Sequence, residues 1–259
     1  MTTQQTDTTT EVPRMRIDCL SIFPGIIADA LKHSIPGRAQ ANGLLQIHHH
    51  DLRTWATDKH SKVDDIPYGG GVGMVFKPEP AMAAIRELRA QGEALVIHPS
   101  PAAPRLTQAD VIELSGHRHL IFLASRYEGL DQRVIDRCVD REYSIGDYVI
   151  SGGELACAVM IDAVARMVPG VVAKQASVVE DSFYNGLLDY PHYTRPPVYE
   201  DMDVPAVLQS GNHEHIRRWR KREALARTLA HRPDLLEGAE LDGEARTMLR
   251  ELGWKPPRD

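Results

Sequence analysis

The residues best suited to chemistry lie in two polar, glycine-containing segments, each beside a short apolar run. Residues 125–129 (SRYEG) follow the apolar run at 120–124, and residues 143–153 (YSIGDYVISGG) enclose the β-branched run at 148–150. Apolar runs of this length predict strands that are buried on both faces. In open α/β sheets, ligands bind beyond the carboxyl ends of such strands, where backbone amides and carbonyls are exposed. The two segments therefore predict a small-molecule site.

A pair of charges interrupts the apolar helical pattern that follows, at residues 154–168. The apolar side chains of this pattern are spread around its whole circumference, which predicts a buried helix. Asp162 and Arg166 are its only interior charges, and a spacing of four residues places them on one helix face. This spacing fits both a plain ion pair and a cation that is kept on a buried helix to meet a developing negative charge.

Positive charge is concentrated in residues 213–232 (HEHIRRWRKREALARTLAHR). This helical pattern holds seven arginines or lysines against two glutamates, a local charge of +5, whereas the whole chain has a formal charge of -6. A basic helix that contains Trp219 suits contacts with phosphates and stacking on a base or sugar, although such clusters also occur as plain solvated faces. The residues predicted to bind nucleic acid are Arg217, Arg218, Trp219, Arg220, Lys221 and Arg222.

A glycine-rich loop occupies residues 58–74, with four glycines in five positions. This composition excludes a helix or a central strand. The loop matches neither the P-loop nor the G-x-G-x-x-G dinucleotide fingerprint, which disfavours a nicotinamide dehydrogenase. Asp64 and Asp65 within it either hold a substrate or face water. Residues 48–50 are all histidines, but three adjacent side chains on a strand cannot face one ion, so no metal site is predicted.

The elements that must position these segments alternate between strands and helices. Strands are predicted at residues 16–23, 44–48, 94–98, 120–124 and 148–150. Helices are predicted at residues 26–32, 80–90, 107–114, 130–138 and 154–168, followed by residues 213–232 and 235–252. Thr107 and Asp110 have the spacing of a capping box, which supports a helix start at that point. The alternation predicts an α/β fold with a mostly parallel sheet and helices on both faces.

The length of 259 residues allows one large domain with a small appendage. Residues 1–14 are polar and threonine-rich, which predicts a disordered leader and no signal peptide. No apolar run reaches bilayer length, so the cytoplasm is the expected location.

After Gly170 the chain becomes polar and aromatic and contains several prolines. This change predicts a linker at 173–190 between a sheet domain at 15–172 and a small helical domain at 191–259. The three cysteines lie far apart in apolar surroundings, which argues against a disulfide framework.

Several long motifs, in one order along nearly the whole chain, resemble those of the bacterial tRNA (guanine-N1)-methyltransferases, which belong to the SPOUT class. The motifs are RIDCLSIFP, GRAQANGLLQI, KVDDIPYGGGVGM, SRYEGLDQRV, SIGDYVISGGEL, IDAVARMVPGVV, EDSFYNGLLDYPHYTRP and VLQSGNHEHIRRWR. The chain departs from the family's pattern at three positions in or near the strand-end loops. Ser125 stands where glycine is usual, Ala156 where proline is common, and Ala103 in an expected Ser-Pro-x-Gly turn.

The resemblance implies an enzyme that transfers a methyl group from S-adenosylmethionine to N1 of the guanosine immediately 3′ of the anticodon in tRNA. It also implies a deep trefoil knot in the C-terminal part of the sheet domain, a rare exception among protein topologies. Members of the family are homodimers whose active site uses both subunits. The residues that match the family's cofactor-binding loops are Pro99, Ser100, Pro101, Ser125, Tyr127, Glu128, Ser144, Ile145, Gly146, Asp147, Tyr148, Val149, Ile150, Gly152 and Gly153.

The catalytic roles follow from the same motif matches. Methylation at N1 of guanine needs a base that removes the N1 proton and a cation near O6 that stabilises the resulting anion. Asp181 matches the base and Arg166 the cation, while Glu128 is expected to shape the pocket or contact the substrate. The sequence leaves open whether Mg²⁺ takes part. Another SPOUT-type RNA methyltransferase, or a non-catalytic RNA-binding protein that kept the knot, remains the alternative.

Overall fold

A parallel sheet organises the N-terminal part of the chain in the computed structural model, which describes residues 14–172 and 181–255. The first seven strands are β1 (Met15–Ser21), β2 (Leu45–Asp51), β3 (Asp64–Asp65), β4 (Val75–Phe76), β5 (Leu95–Pro99), β6 (His119–Leu123) and β7 (Arg141–Tyr143). Five of them form one sheet in the order β2-β1-β6-β5-β7, and every neighbouring pair is parallel. The β3 and β4 strands form a separate antiparallel hairpin.

Helices cover both faces of the sheet. They are α1 (Pro24–Leu31), α2 (Ser34–Ala41), α3 (Pro78–Arg89), α4 (Gln108–Ser115), α5 (Gln132–Cys138) and α6 (Gly153–Met167), with a short 3-10 turn at Leu52–Trp55. Leu120 and Phe122 of β6 belong to a core with α1, α4 and α6, whereas Ile121 and Leu123 belong to a second core with α3 and α5. Successive side chains of a strand point to opposite faces, so a continuous apolar run fills both cores. The predicted α/β fold is confirmed.

Most of the predicted elements are present within a few residues of the expected bounds, and the capping box of Thr107 and Asp110 begins α4. The strand predicted at 148–150 is wrong. The last strand of the sheet is β7, which ends at Tyr143, and the chain then bends through Gly146 at φ 153°. Val149 is 83% exposed, so its β-branched side chain belongs to a surface loop and not to a core strand. The α2 helix was not predicted.

The α6 helix is only partly buried, which corrects the prediction of a helix that is buried all round. Cys157, Ile161 and Val164 are fully buried in the core. Leu155 and Val159, which lie one turn apart, are each 52% exposed. The helix therefore presents a short apolar stripe at its surface.

A buried carboxylate lies in the middle of β1. Asp18 is fully buried, and its two carboxylate oxygens contact Nε2 of His50 at 2.6 Å, Nε2 of His119 at 2.7 Å and Nε of Arg16 at 2.7 Å. Burial alone raises the pKa of Asp18, but the hydrogen bonds from His50, Arg16 and His119 outweigh it and hold this pKa well below its usual value. His50 thus has a structural partner within the sheet.

The second unit of the chain, Lys174–Asp259, is helical, whereas the sheet belongs to the first unit, Met1–Ala173. Its elements are β8 (Val198–Tyr199), β9 (Met202–Asp203), α7 (Ala206–Gln209), α8 (His213–His231), α9 (Leu235–Gly238) and α10 (Gly243–Glu251). Its core contains Leu225, Leu236 and Leu249, and the backbone N–H of Leu188 donates to Oγ1 of buried Thr228 at 2.9 Å. Residues near 188, predicted as linker, thus pack within this unit.

Three further features concern the described residues as a whole. Cys19, Cys138 and Cys157 are all buried and free. Among the described residues, no helix is both long and apolar enough to cross a bilayer. No group of three or more histidine, cysteine or acidic side chains in residues 14–172 and 181–255 is arranged to hold a metal ion.

Candidate active site

A cavity of about 270 Å³ lies at the carboxyl ends of β5, β6 and β7. Three loops form its walls: residues 99–102 after β5, residues 125–129 after β6, and residues 144–152 between β7 and α6. All three strands are parallel, so their carboxyl ends meet at one edge of the sheet. The predicted small-molecule site therefore corresponds to a real concavity, with a volume near the lower end of the range of about 300–1,000 Å³ that is usual for ligand pockets.

The predicted cofactor-binding residues converge on this cavity, with one exception. Those that line it are Pro99, Ser100, Pro101, Ser125, Tyr127, Glu128, Ser144, Ile145, Gly146, Tyr148, Val149, Ile150, Gly152 and Gly153. Asp147 is not part of the lining; its side chain is 82% exposed, and its Oδ2 lies 3.9 Å from Nη1 of Arg105. Gly146 turns the chain just before Asp147, which directs this carboxylate to solvent.

Gly153 joins the third loop to the end of β6. Its backbone N–H donates to the carbonyl of Ser125 at 2.8 Å. A Cβ atom at this position would lie 3.1 Å from Cα of Ala124, 3.1 Å from the backbone nitrogen of Ser125 and 3.2 Å from Cγ of Pro99. The first two neighbours are backbone atoms that cannot rotate away. A side chain here would force these neighbours to move by a few tenths of an ångström, so glycine favours the start of α6 directly against the ends of β5 and β6.

A buried ion pair holds the same two loops together behind the cavity. Glu154 is 1% exposed; its carboxylate accepts a hydrogen bond from Oγ of Ser21 at 2.7 Å and one from Nε of Arg126 at 3.1 Å. The guanidinium carbon of Arg126 lies 4.5 Å from the centre of the Phe23 ring. Glu154 stands in the first turn of α6, where the helix dipole favours a negative charge. No local sequence pattern indicates this pair, because the partners of Glu154 lie 28 and 133 residues away along the chain.

His98 is a second buried polar residue of the cavity that the sequence analysis did not identify. Its Nδ1 lies 3.0 Å from Oε1 of Glu142, and its Nε2 lies 2.9 Å from Oγ of Ser125. Burial lowers the pKa of His98, although the hydrogen bond to Glu142 opposes this change. The serine at position 125, one of the three departures from the family pattern, thus supplies a partner for a ring nitrogen of His98. The sequence feature that could have indicated His98 as a site residue is its position at the end of a predicted strand.

The glycine-rich loop lies against the second wall of the cavity. The backbone N–H of Glu128 donates to the carbonyl of Met74 at 3.0 Å. A Cβ atom on Gly73, whose φ is 90°, would lie 2.4 Å from Oε1 of Glu128. Asp64 and Asp65 pair with β4 at the base of this hairpin and are absent from the lining of the cavity. Glu128 is therefore positioned by the glycine-rich loop as well as by its own turn.

The two predicted catalytic residues lie in different units. Arg166 is half-buried in the last turn of α6, and Asp162, one turn earlier, is exposed. Asp181 is the first described residue of the second unit; its side chain is exposed, and its carbonyl accepts a hydrogen bond from the backbone N–H of Tyr184 at 3.4 Å. Residues 173–180 of the predicted linker lie outside the described residues.

The residues of the basic cluster of α8 differ in their surroundings. Arg217 forms ion pairs with Glu214 and Glu244, and Nζ of Lys221 lies 2.6 Å from Asp242. Arg218 and Arg222, whose side chains are 63% and 48% exposed, lie 4.0 Å from Glu244 and 3.6 Å from Glu223. Trp219 and Arg220 instead line a groove of the second unit. Charge on this helix is thus partly compensated within the unit and partly presented at its surface.

Comparison with known proteins identifies the family. The sequence model of the family described as tRNA (Guanine-1)-methyltransferase TrmD matches residues 15–238. The tRNA (guanine-N(1)-)-methyltransferase of Chloroflexus aurantiacus is 50% identical over 248 residues, which cover 93% of this chain and 98% of the relative. Those of Frankia casuarinae and Stutzerimonas stutzeri are 51% and 50% identical, over 91% and 92% of this chain and 88% and 96% of the relatives. The chain therefore belongs to the tRNA (guanine-1)-methyltransferase family, TrmD.

Proposed function

We infer that this chain transfers a methyl group from S-adenosylmethionine to N1 of the guanosine immediately 3′ of the anticodon in tRNA. Its enzyme class is that of its family, a tRNA (guanine-N1)-methyltransferase. The observation that carries the inference is the similarity to relatives of this activity over more than nine tenths of the chain; two of the matching motifs, SRYEGLDQRV and SIGDYVISGGEL, contribute residues to one cavity. A cytoplasmic location is proposed with it, since tRNA is the substrate.

We propose that the cavity at the ends of β5, β6 and β7 binds S-adenosylmethionine, which supplies the methyl group when bound. The lining combines apolar side chains such as Ile145 and Ile150 with the hydroxyls of Ser100 and Ser144. Such a mixture suits a ligand with a purine, a ribose and a charged amino acid end, because apolar walls cover the ring and a few polar groups fix its orientation. Asp147, which points to solvent, is the weakest of the proposed cofactor contacts.

Two side chains carry the proposed proton chemistry. Asp181 accepts the N1 proton of guanine, which makes the nitrogen lone pair available for attack. The negative charge that then develops on O6 is stabilised by the guanidinium of Arg166. The spacing of Arg166 from Asp162 fits both a plain ion pair and a cation that meets a developing negative charge, and this role corresponds to the second interpretation. The remaining acceleration comes from positioning the reacting atoms.

We also propose that the first unit is tied in a trefoil knot. The path of residues 144–153 supports the knot: the chain leaves β7 at the edge of the sheet and reaches Gly153, where an added Cβ would lie within 3.2 Å of atoms of Pro99 and Ala124. The loop thus crosses the ends of both β5 and β6 before α6 returns to pack on the sheet.

A homodimer with the active site at the subunit interface is proposed from the same region. Leu155 and Val159 form an exposed apolar stripe on α6, directly after the loop that closes the cavity. Exposed apolar stripes beside a pocket are typical of surfaces that a partner covers. A second copy of this chain, which presents the same stripe about a twofold axis, is the proposed partner.

The activity is tested by incubating the protein with methyl-labelled S-adenosylmethionine and unmodified tRNA that carries guanosine 3′ of the anticodon, followed by nucleoside analysis. We expect the label in N1-methylguanosine and no label when that guanosine is replaced by adenosine. Label in another nucleoside would indicate a different SPOUT-type methyltransferase, and tRNA binding without label would indicate a non-catalytic RNA-binding protein. Parallel reactions with EDTA and with added Mg²⁺ decide whether the metal takes part.

A further inference from the structure

A groove of about 640 Å³ in the second unit is separate from the cavity of the first unit. It lies between residues 190–197 and the N-terminal half of α8. Its walls combine aromatic rings with the side chains of Arg195 and Arg220. Trp219 and Arg220, which are among the residues predicted to bind nucleic acid, line it.

Aromatic rings line the groove in two groups. The ring centres of Tyr193 and Trp219 lie 6.3 Å apart at an interplanar angle of 57°, and Tyr193 is 50% exposed. The ring centres of Tyr190 and His192 lie 4.7 Å apart, and the guanidinium carbon of Arg220 lies 4.9 Å from the centre of the Tyr190 ring. Half-exposed rings offer flat apolar faces, onto which a planar ligand can stack.

The charge of the groove is positive. No acidic residue occurs among the described residues that line it. On the same helix, the charges of Arg217 and Lys221 are compensated by Glu214, Asp242 and Glu244. Arg220 differs from Arg217 in its neighbours: the guanidinium of Arg220 lies beside the Tyr190 ring, whereas that of Arg217 lies beside two carboxylates. The guanidinium of Arg220 can therefore bind an external anion next to an aromatic surface.

The aromatic wall is held in place before any ligand binds. The N–H of Leu188 donates to Oγ1 of Thr228 at 2.9 Å, and Nη1 of Arg227 donates to the carbonyl of Asp189 at 3.3 Å. The carboxylate of Asp189 also contacts Nε2 of His192 at 2.7 Å. These contacts fix residues 188–192 on α8. A preformed surface loses less conformational entropy on binding than a flexible one.

We propose that this groove binds one unpaired nucleotide of the substrate tRNA. The base stacks on Tyr193 beside Trp219, and the adjoining phosphate meets Arg220. Stacking tolerates any base, so the groove contributes affinity and placement of the tRNA, whereas selection of the methylated guanosine remains with the active site. This proposal rests on the proposed function only in that the ligand is tRNA.

The test compares Tyr193→Leu and Arg220→Gln with the matched control Arg217→Gln, which removes the same charge three residues away on the same helix. Binding of fluorescently labelled, unmodified tRNA is measured at several salt concentrations. We expect Tyr193→Leu to weaken binding by about 5- to 150-fold, the usual range for one lost base stack. We expect Arg220→Gln to reduce the slope of log affinity against log salt by about one unit, and Arg217→Gln to change this slope less.

A competition experiment tests the preference for unpaired nucleotides. Single-stranded oligouridylate is expected to displace tRNA from the wild type better than duplex RNA of equal length.

Three results would overturn the proposal: unchanged tRNA affinity of Tyr193→Leu, equal loss in Arg217→Gln and Arg220→Gln, or equal competition by single-stranded and duplex RNA. Circular dichroism and thermal melting report whether each variant folds. If Tyr193→Leu does not, the exposed Arg220→Gln and the competition arm decide the question. The proposed function is tested separately, by the methylation assay with the wild type. If no N1-methylguanosine forms, the proposed function is wrong, but the binding measurements still test whether the groove binds tRNA.

Discussion

At the scale of single residues, Asp181 and Arg166 are open to substitutions that change chemistry more than size. Asp181→Asn cannot accept the N1 proton, so we expect the single-turnover rate constant to fall by roughly 10²- to 10⁴-fold at unchanged cofactor affinity. Arg166→Lys keeps the charge and loses the planar fork, so it is also expected to slow the reaction. Because both residues are proposed to act on one anion, the double variant is expected to lose less than the product of the single losses.

Asp203→Asn, which changes an exposed aspartate of the β8–β9 hairpin, is the control for the loss of one negative charge in the second unit. A parental rate constant for Asp181→Asn at saturating tRNA would assign the base to another residue. Asp64 and Asp65 of the glycine-rich hairpin would then be examined next.

Asp18 allows a prediction about stability and pH. Asp18→Asn removes a buried charge that faces Arg16 and two histidines, so we expect a loss of about 3 kcal/mol in the free energy of unfolding at pH 7. The pKa of folded Asp18 lies below the unfolded value of about 3.9, so its contribution is complete above pH of about 5 and disappears as the pH falls further. The difference between wild type and variant is therefore expected to shrink toward pH 3.

Urea unfolding at pH 7 and pH 3 measures this difference. Asp29→Asn, an exposed aspartate that pairs with Lys32, is the matched control and is expected to change stability little. A gap between wild type and Asp18→Asn that stays constant across this pH range would show that the carboxylate is not the stabilising group.

The residues of the site differ in how far the sequence reveals them. The serines and glycines of the strand-end loops carry local signals, since strand, turn and helix follow one another within a few positions. Ser21 and Glu154 are 133 residues apart, and no local pattern shows that β1 and α6 bring them within 2.7 Å. Their burial and pairing are properties of the packed fold. The same holds for His98, whose partners Ser125 and Glu142 come from separate loops and strands.

At the scale of elements, the junction of β6 with α6 is tested by Gly153→Ala. The added methyl group would lie 3.1 Å from backbone atoms of Ala124 and Ser125, so the start of α6 must shift away from the sheet. We expect a loss of about 1–3 kcal/mol in stability and weaker binding of S-adenosylmethionine. Gly25→Ala, in the first turn of α1 with no atom near its Cβ, is the control. Isothermal titration with S-adenosylmethionine provides the comparison, and equal affinity in the two variants would argue against the close packing.

The spacing of apolar residues along the sequence predicted the order of strands and helices well, because the apolar side chains of each element pack into one or both cores. The exception at 148–150 has a physical cause. A β-branched run indicates a strand only when a neighbouring strand supplies hydrogen bonds, and the positive φ of Gly146 turns the chain away from β5 before Tyr148. Exposed β-branched residues between glycines are therefore better interpreted as the wall of a ligand site than as sheet.

At the scale of the whole molecule, the apolar stripe on α6 predicts a dimer that charge can separate. Leu155→Lys places a cation on the proposed twofold interface opposite its own copy, so we expect monomers and a large loss of activity. Ile112→Lys, at an exposed position of α4, is the control and is expected to leave the oligomeric state unchanged. Light scattering during size-exclusion chromatography measures the mass. A monomeric wild type would contradict the proposed dimer, and a dimer that persists in Leu155→Lys would show that this stripe is not its interface.

The buried cysteines give the first unit its own reporter. Burial raises the pKa of Cys19 and that of Cys157, so their thiolates are scarce at neutral pH and the folded protein reacts slowly with alkylating reagents. All three cysteines of the chain belong to Met1–Ala173, and Lys174–Asp259 contains none. The rate of thiol alkylation thus measures how often the sheet opens, independently of the helical unit. Adding S-adenosylmethionine or tRNA during such labelling would reveal, without any engineered probe, whether each ligand protects the sheet of the first unit from opening.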